Sequence, residues 1–163
     1  MDTVGCIDLD GIVRAVPKEQ VKLRPAVFAI VVHDSRLLVL TLKATGKYHL
    51  PGGGVDAGDS LEVALKRELR EETGIAVEVD GLVHFSELFF YYNPSGNTYH
   101  GLHFYYLCQP RSINLLPDSQ VQDGSAGRPR WVPLDKLSAK DFQNDGDAIL
   151  KYASGQASSR LAT

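Results

Sequence analysis

Residues 53–75, reading G-G-V-D-A-G-D-S-L-E-V-A-L-K-R-E-L-R-E-E-T-G-I, constrain this chain more than any other stretch. At about 100° per residue, with Glu68 set at zero, Leu61 falls near 20°, Leu65 near 60° and Ala64 near 320°. Glu72 then lies at roughly 40° and Glu71 at roughly 300°, on the same side of the wheel. Glu62, Lys66, Arg70 and Thr73 gather on the opposite side and predict the solvated face. The stripe that begins apolar therefore turns acidic in its last two turns, and Glu68, Glu71 and Glu72 are expected to face the protein.

Inward carboxylates repel one another unless positive charge stands between them. Arg67, near 260° on the same wheel, can answer Glu71, but one guanidinium does not neutralise three acids. Hard oxygen ligands of this kind suit Mg²⁺ or Mn²⁺, which take a few carboxylates and keep positions for water and phosphate oxygens. The flanks suit such a site. Pro51-Gly52-Gly53-Gly54 offers backbone that approaches a ligand closely. Asp59 or Ser60 is placed to cap the helix, Asp59 and Glu62 having the spacing of a capping box, and Gly74 is placed to end it.

With those residues in view, the segment resembles the Nudix box, the signature of hydrolases that cleave nucleoside diphosphates linked to another moiety. That pattern runs glycine, five residues, glutamate, seven residues, then Arg-Glu-aliphatic-x-Glu-Glu-x-Gly-aliphatic. This chain supplies Gly53, Arg67, Glu68, Leu69, Glu71, Glu72, Gly74 and Ile75, with the shorter Asp59 in place of the first glutamate. The resemblance implies an α/β/α sandwich with a mixed sheet. It implies a metal-dependent hydrolase cleaving a phosphoanhydride bond of a nucleoside triphosphate or dinucleoside polyphosphate. A catalytically silent nucleotide-binding or sensing module is the alternative, and retention of all three glutamates favours the enzyme.

Roles follow from the chemistry and the resemblance together. Glu71 and Glu72 are expected as metal ligands, with Glu68 as a further ligand or a group that orients water, and Arg67 as the residue that orients the carboxylates. The resemblance adds the backbone carbonyl of Gly52 or Gly53 to the metal. The general base is a box glutamate or an acid from a later loop, Asp123 being the first candidate and Glu87 the second. A cation outside the box should meet the phosphates: Lys43, after the second long strand, or Arg24, before the first. Tyr48 is placed either to stack on a base or to cap the core, and His49, beside the glycine loop, to touch substrate.

Substrate markers are few. Tyr91 and Tyr92 stand where dinucleoside-polyphosphate-cleaving members carry a tyrosine, within an aromatic run that is itself strand-forming. Pro94 lies a few residues beyond the proline of ADP-ribose-type members, which counts against that branch. Residues 131–142 resemble the C-terminal segment of nucleoside-triphosphate-cleaning members, with Asn144 near, though not in register with, their base-reading asparagine.

The rest of the chain reads as one domain over residues 1–163. Residues 1–22 form an N-terminal hairpin extension turning at Asp10-Gly11, and no chemistry is assigned to it. Strands are expected at 26–33, 37–42, 77–79, 82–92, 100–108 and 131–133, and a polar loop at 114–128. A C-terminal helix is placed at 146–153 and a flexible tail at 154–163. Strands on both sides of a central helix, with a second helix at the end, predict a mixed sheet between helices.

Net charge −3 without a basic stripe argues against long nucleic acid. The longest apolar run, Ala26 to Val32, is far below the roughly 18 residues of a membrane span. Two widely spaced cysteines and a start without basic residues predict a reduced, cytoplasmic setting, with the protein a monomer or homodimer.

Overall fold

The computed structural model describes residues 2–122 and 124–161, with side chains up to residue 158. The organising element is a long apolar strand, β3 (Val21–His33), whose residues from Ala26 to Val32 are all buried. Alternation along it separates two cores. Ala26, Phe28, Ile30 and Val32 pack with Ile149 and Ala153 of α2 (Gly146–Leu161). Val27, Ala29 and Val31 pack with Ala64, Leu65 and Leu69 of α1 (Leu61–Thr73). The two helices therefore cover opposite faces of one strand, an α/β/α arrangement that a run buried on both faces demands.

Among the described residues, nine strands, β3 included, form the sheet. Seven run in the order β2-β1-β7-β8-β3-β4-β5, where β1 is Thr3–Ile7, β2 Val13–Pro17 and β4 Arg36–Leu42. The others in that order are β5 (Tyr48–His49), β7 (Val77–Tyr92) and β8 (Asn97–Pro110). Off that path, β6 (Gly52–Gly54) pairs with β3 and β9 (Ala126–Pro133) pairs with β4. The sheet is mixed: β3 is parallel to β8 and antiparallel to β4 and β6.

Local chemistry explains the elements. Asp34 and Ser35, both at positive φ, make the two-residue link that pairs Val32 with Leu37. Ser60 caps α1 by accepting the Val63 amide at 3.2 Å, and Gly74 ends it in the left-handed conformation. Thr73, expected on the solvated side, is fully buried instead. Its hydroxyl donates to the Leu69 carbonyl and accepts the Ile75 amide, so the polar group is satisfied within the last turn.

The structure extends several expected elements. The C-terminal helix continues through residues 154–161, a stretch expected as tail. Gln156 is buried there and donates to the Cys108 carbonyl at 3.2 Å. The 114–128 loop carries a short 3₁₀ turn, and its Leu116 and Gln122 amides donate to the Thr73 and Glu71 carbonyls at the end of α1. The last strand begins five residues early, at Ala126. Cys6 and Cys108 are buried free thiols. Among the described residues, no helix is long and apolar enough to cross a membrane.

Candidate active site

The pairing of β6 with β3 sets the glycines Gly52–Gly54 opposite Phe28, Val27 and Ala26, directly before α1. Close approach explains their identity. A Cβ on Gly52, whose φ is +149°, would fall 2.0 Å from the Val27 carbonyl oxygen. A Cβ on Gly53 would fall 2.9 Å from the Glu68 carboxyl carbon. The Gly52 amide in turn donates to Glu72 Oε2 at 2.8 Å, a charge-assisted bond between loop and helix end.

The three glutamates occupy graded environments: Glu72 is buried at 1 % exposure, while the side chains of Glu68 and Glu71 are 16 % and 39 % exposed. Arg67 stands among them. Its Nη1 donates to Glu68 Oε1 at 3.0 Å and lies 3.5 Å from Glu71 Oε2. Its other nitrogens face Asp56 at 3.3 Å and Asp59 at 3.7 Å. Burial on its own would lower the guanidinium pKa. The bond to Glu68 and the charges of Glu68, Asp56 and Glu71 outweigh that and raise it above its ordinary value. Asp59 thus serves as a partner of Arg67, while Ser60 is the helix cap.

All three glutamates line a cavity of about 430 Å³, together with Gly52, Gly53 and Gly54. Among the described residues, no three His, Cys, Asp or Glu side chains converge as a ready-made metal cage. What converges is a set of hard oxygen donors around a Cβ-free loop, two of the three acids being held by Arg67.

The other expected site residues separate clearly. Arg24 lines the cavity, its guanidinium over the Tyr99 ring at 5.6 Å and beside Gly54. Lys43 is exposed and does not line it; its aliphatic end lies near Gly127. His49 lines the cavity with its ring edge-on to Phe28 at 5.2 Å. Tyr48 is turned elsewhere, against Phe142 and under Arg130. Glu87 pairs with His100 away from the cavity. Asp123 lies outside the described residues, and its neighbour Gln122 lines the cavity.

Several lining groups escaped the sequence reading. The hairpin tip, Ile7-Asp8-Leu9, forms part of the wall because Ile7 pairs with Phe90 of β7. Asp8, buried, holds that tip by accepting the Asp10 and Ile12 amides and Arg14 Nε. Leu88 and Phe90 present one face of β7 together with Tyr92, already marked in the sequence, so the inward half of the aromatic run faces a cavity and not a closed core. Tyr99 and His103 present the matching face of β8. The alternation Tyr99-Gly101-His103, with a small residue between two rings, was the available signal.

Comparison with known proteins follows the same lines. The 8-oxo-dGDP phosphatase NUDT18 of Homo sapiens is 28 % identical over 129 residues, 74 % of this chain and 37 % of that protein. An ADP-ribose pyrophosphatase of Methanocaldococcus jannaschii is 36 % identical over 75 residues, 43 % of this chain and 44 % of that one. The matches with curated relatives thus span 34–44 % of those proteins' own length. The crystal structure of a MutT NUDIX hydrolase from Burkholderia pseudomallei superposes with a TM-score of 0.64 at 27 % identity, covering 80 % of this chain and 97 % of that one. The family model of the NUDIX domain matches residues 22–152, which holds the glycine loop, the acidic helix and both cores, and the chain belongs to the Nudix hydrolase family.

Proposed function

We propose that this chain is a divalent-metal-dependent pyrophosphohydrolase acting on a small nucleotide that carries at least two linked phosphates. The observation that carries the reading is that Glu68, Glu71 and Glu72 line the same cavity as Arg24. The two relatives named as an ADP-ribose pyrophosphatase and an 8-oxo-dGDP phosphatase support a nucleoside diphosphate unit as the shared chemistry. Nucleoside triphosphates and dinucleoside polyphosphates contain that unit as well.

The donor set fits Mg²⁺ or Mn²⁺: three carboxylates and the carbonyls of Gly52 or Gly53, all hard oxygen, on residues that line one cavity. When bound, such an ion neutralises phosphate oxygens and acidifies a coordinated water. The protein's own residues do the rest. Gly52, by bonding Glu72, fixes the buried carboxylate before substrate arrives. Arg67 sets a positive charge between Glu68 and Glu71 and holds the two carboxylates in place until an ion takes them. Arg24 supplies a positive charge to the phosphates from the cavity wall. The proton of the attacking water passes to a box carboxylate or to Asp123.

The test is turnover of nucleoside di- and triphosphates, dinucleoside polyphosphates and nucleotide sugars with Mg²⁺ or Mn²⁺, products being separated by anion exchange. Metal-dependent release of a nucleoside monophosphate supports the reading. Nucleotide binding with no turnover on any compound would replace it with a sensing module.

A further inference from the structure

His103 is 5 % exposed and lines the cavity, its ring centroid 5.0 Å from that of Phe28 and 6.1 Å from that of Phe90. Among the described residues, neither of its ring nitrogens has a hydrogen-bond partner. Such a group costs stability unless something satisfies it. Its position is built: a Cβ on Gly101 would fall 2.8 Å from His103 Nε2, so the strand carries glycine where the imidazole lies. A second unsatisfied group lines the same cavity. Gln143 Oε1 is buried without a partner among the described residues, while its Nε2 donates to the Leu9 carbonyl at 3.3 Å. That bond ties the hairpin tip to the loop before α2.

Apolar and aromatic side chains line the cavity beside these polar atoms. Phe90 and Tyr99 stand 5.2 Å apart on neighbouring strands, with Leu88 and Leu9 on the same lining. A slot with aromatic walls and a few unsatisfied donors and acceptors at its depth suits a planar heteroaromatic ring. A neutral imidazole offers one donor and one acceptor, and Gln143 adds an acceptor. Burial, with the charge of Arg24, pushes the His103 pKa down to about 4, so the imidazole is neutral at physiological pH.

We propose that His103, with Gln143 on the lining of the same cavity, reads the hydrogen-bonding edge of the substrate's nucleobase, which lies against Phe90 and Tyr99 while the phosphates reach the glutamates. The inference rests on the cavity being a nucleotide site and adds the residue that sets base specificity. It also gives the hairpin a purpose: Leu9 closes the slot and holds Gln143 in place.

The experiment is calorimetric binding of the adenosine, guanosine, cytidine and uridine 5′-monophosphates and of ribose 5-phosphate, without metal. At least one nucleotide is expected to bind at least about tenfold more tightly than ribose 5-phosphate, ~1.4 kcal/mol. His103→Leu, which suits the apolar surroundings, should erase that margin. His103→Gln, which keeps a donor and an acceptor in other positions, should keep a margin but reorder the four bases. No nucleotide margin in the wild type, or a margin unchanged within about twofold in His103→Leu, overturns the proposal. If His103→Leu does not fold, an unchanged base ranking in His103→Gln does so alone. Turnover is scored separately. His103-dependent binding without hydrolysis removes only the hydrolytic reading; hydrolysis with a base preference indifferent to His103 removes only this one.

Discussion

Gly53 lies directly beneath the carboxylate of Glu68, so close that a Cβ there would stand 2.9 Å from the carboxyl carbon and 3.0 Å from both oxygens. Gly53→Ala must therefore displace either the loop or the acid. The acid is the easier to move, since its partner Arg67 is itself partly exposed. Turnover should fall at least about tenfold, some 1.4 kcal/mol of barrier, with the melting temperature within a few degrees of wild type. Equal rates for Gly53→Ala and wild type would show that Glu68 is not needed where it lies.

Glu72 is the acid whose position is most firmly set, buried and bonded to the Gly52 amide. Glu72→Gln keeps an oxygen for that amide and removes the charge. We expect turnover to fall at least about 100-fold, near 2.7 kcal/mol of barrier, with the fold retained by circular dichroism. A rate within a few-fold of wild type would exclude Glu72 from the metal's ligands.

The parts of this site that could be read from sequence are those whose geometry is local. Glu68, Glu71 and Glu72 share a side because of helical period, and Ser60 and Gly74 bound the helix through contacts within a turn. Thr73 shows the limit of even that argument. Its wheel position is polar, but back-bonding to Leu69 lets it be buried. The choice between Lys43 and Arg24 depended on the parallel pairing that sets Arg24 opposite Gly101, residues brought together by register alone. The same holds for the hairpin tip, which reaches the cavity through the pairing of Ile7 with Phe90. The length of α2 depends on Gln156 reaching the Cys108 carbonyl and on Ala157 packing against the core that includes β3. Long-range register, not residue type, is what these three features share.

Arg67 faces four carboxylates, those of Asp56, Asp59, Glu68 and Glu71. In Arg67→Gln these acids lose their shared counter-charge, and a divalent ion becomes the main means of relieving their repulsion. The variant should melt lower than wild type without metal and gain more on adding Mg²⁺, because ligand-linked stabilisation grows with affinity for the folded state. Scanning calorimetry with and without 10-fold excess chelator, followed by titrated Mg²⁺, measures both. A smaller Mg²⁺-induced rise in the variant than in wild type would mean that Arg67 helps assemble the metal site and does not compete with the ion for its acids.

His103 makes the stability of the fold depend on acid in a way that can be isolated. Its pKa is pushed down to about 4 by burial first and by Arg24 second, with a further lowering from His49 and an opposing pull from Asp145. In the unfolded chain it titrates near 6.5. Between those values the unfolded state binds the proton and the folded state does not, so stability rises with pH there. The contribution is complete above about pH 6.5 and is lost as pH falls through that window toward about 4. From pH 7 to pH 4.5 the loss from this one group is on the order of 2 kcal/mol. Other acids titrate in the same range, so the measurement is the difference between wild type and His103→Leu in urea unfolding at several pH values. The advantage of wild type over the variant should shrink by that amount as pH falls, or the variant's advantage should grow by it. A difference that stays constant from pH 7 to pH 4.5 would mean that the imidazole accepts its proton inside the folded cavity at an ordinary pH.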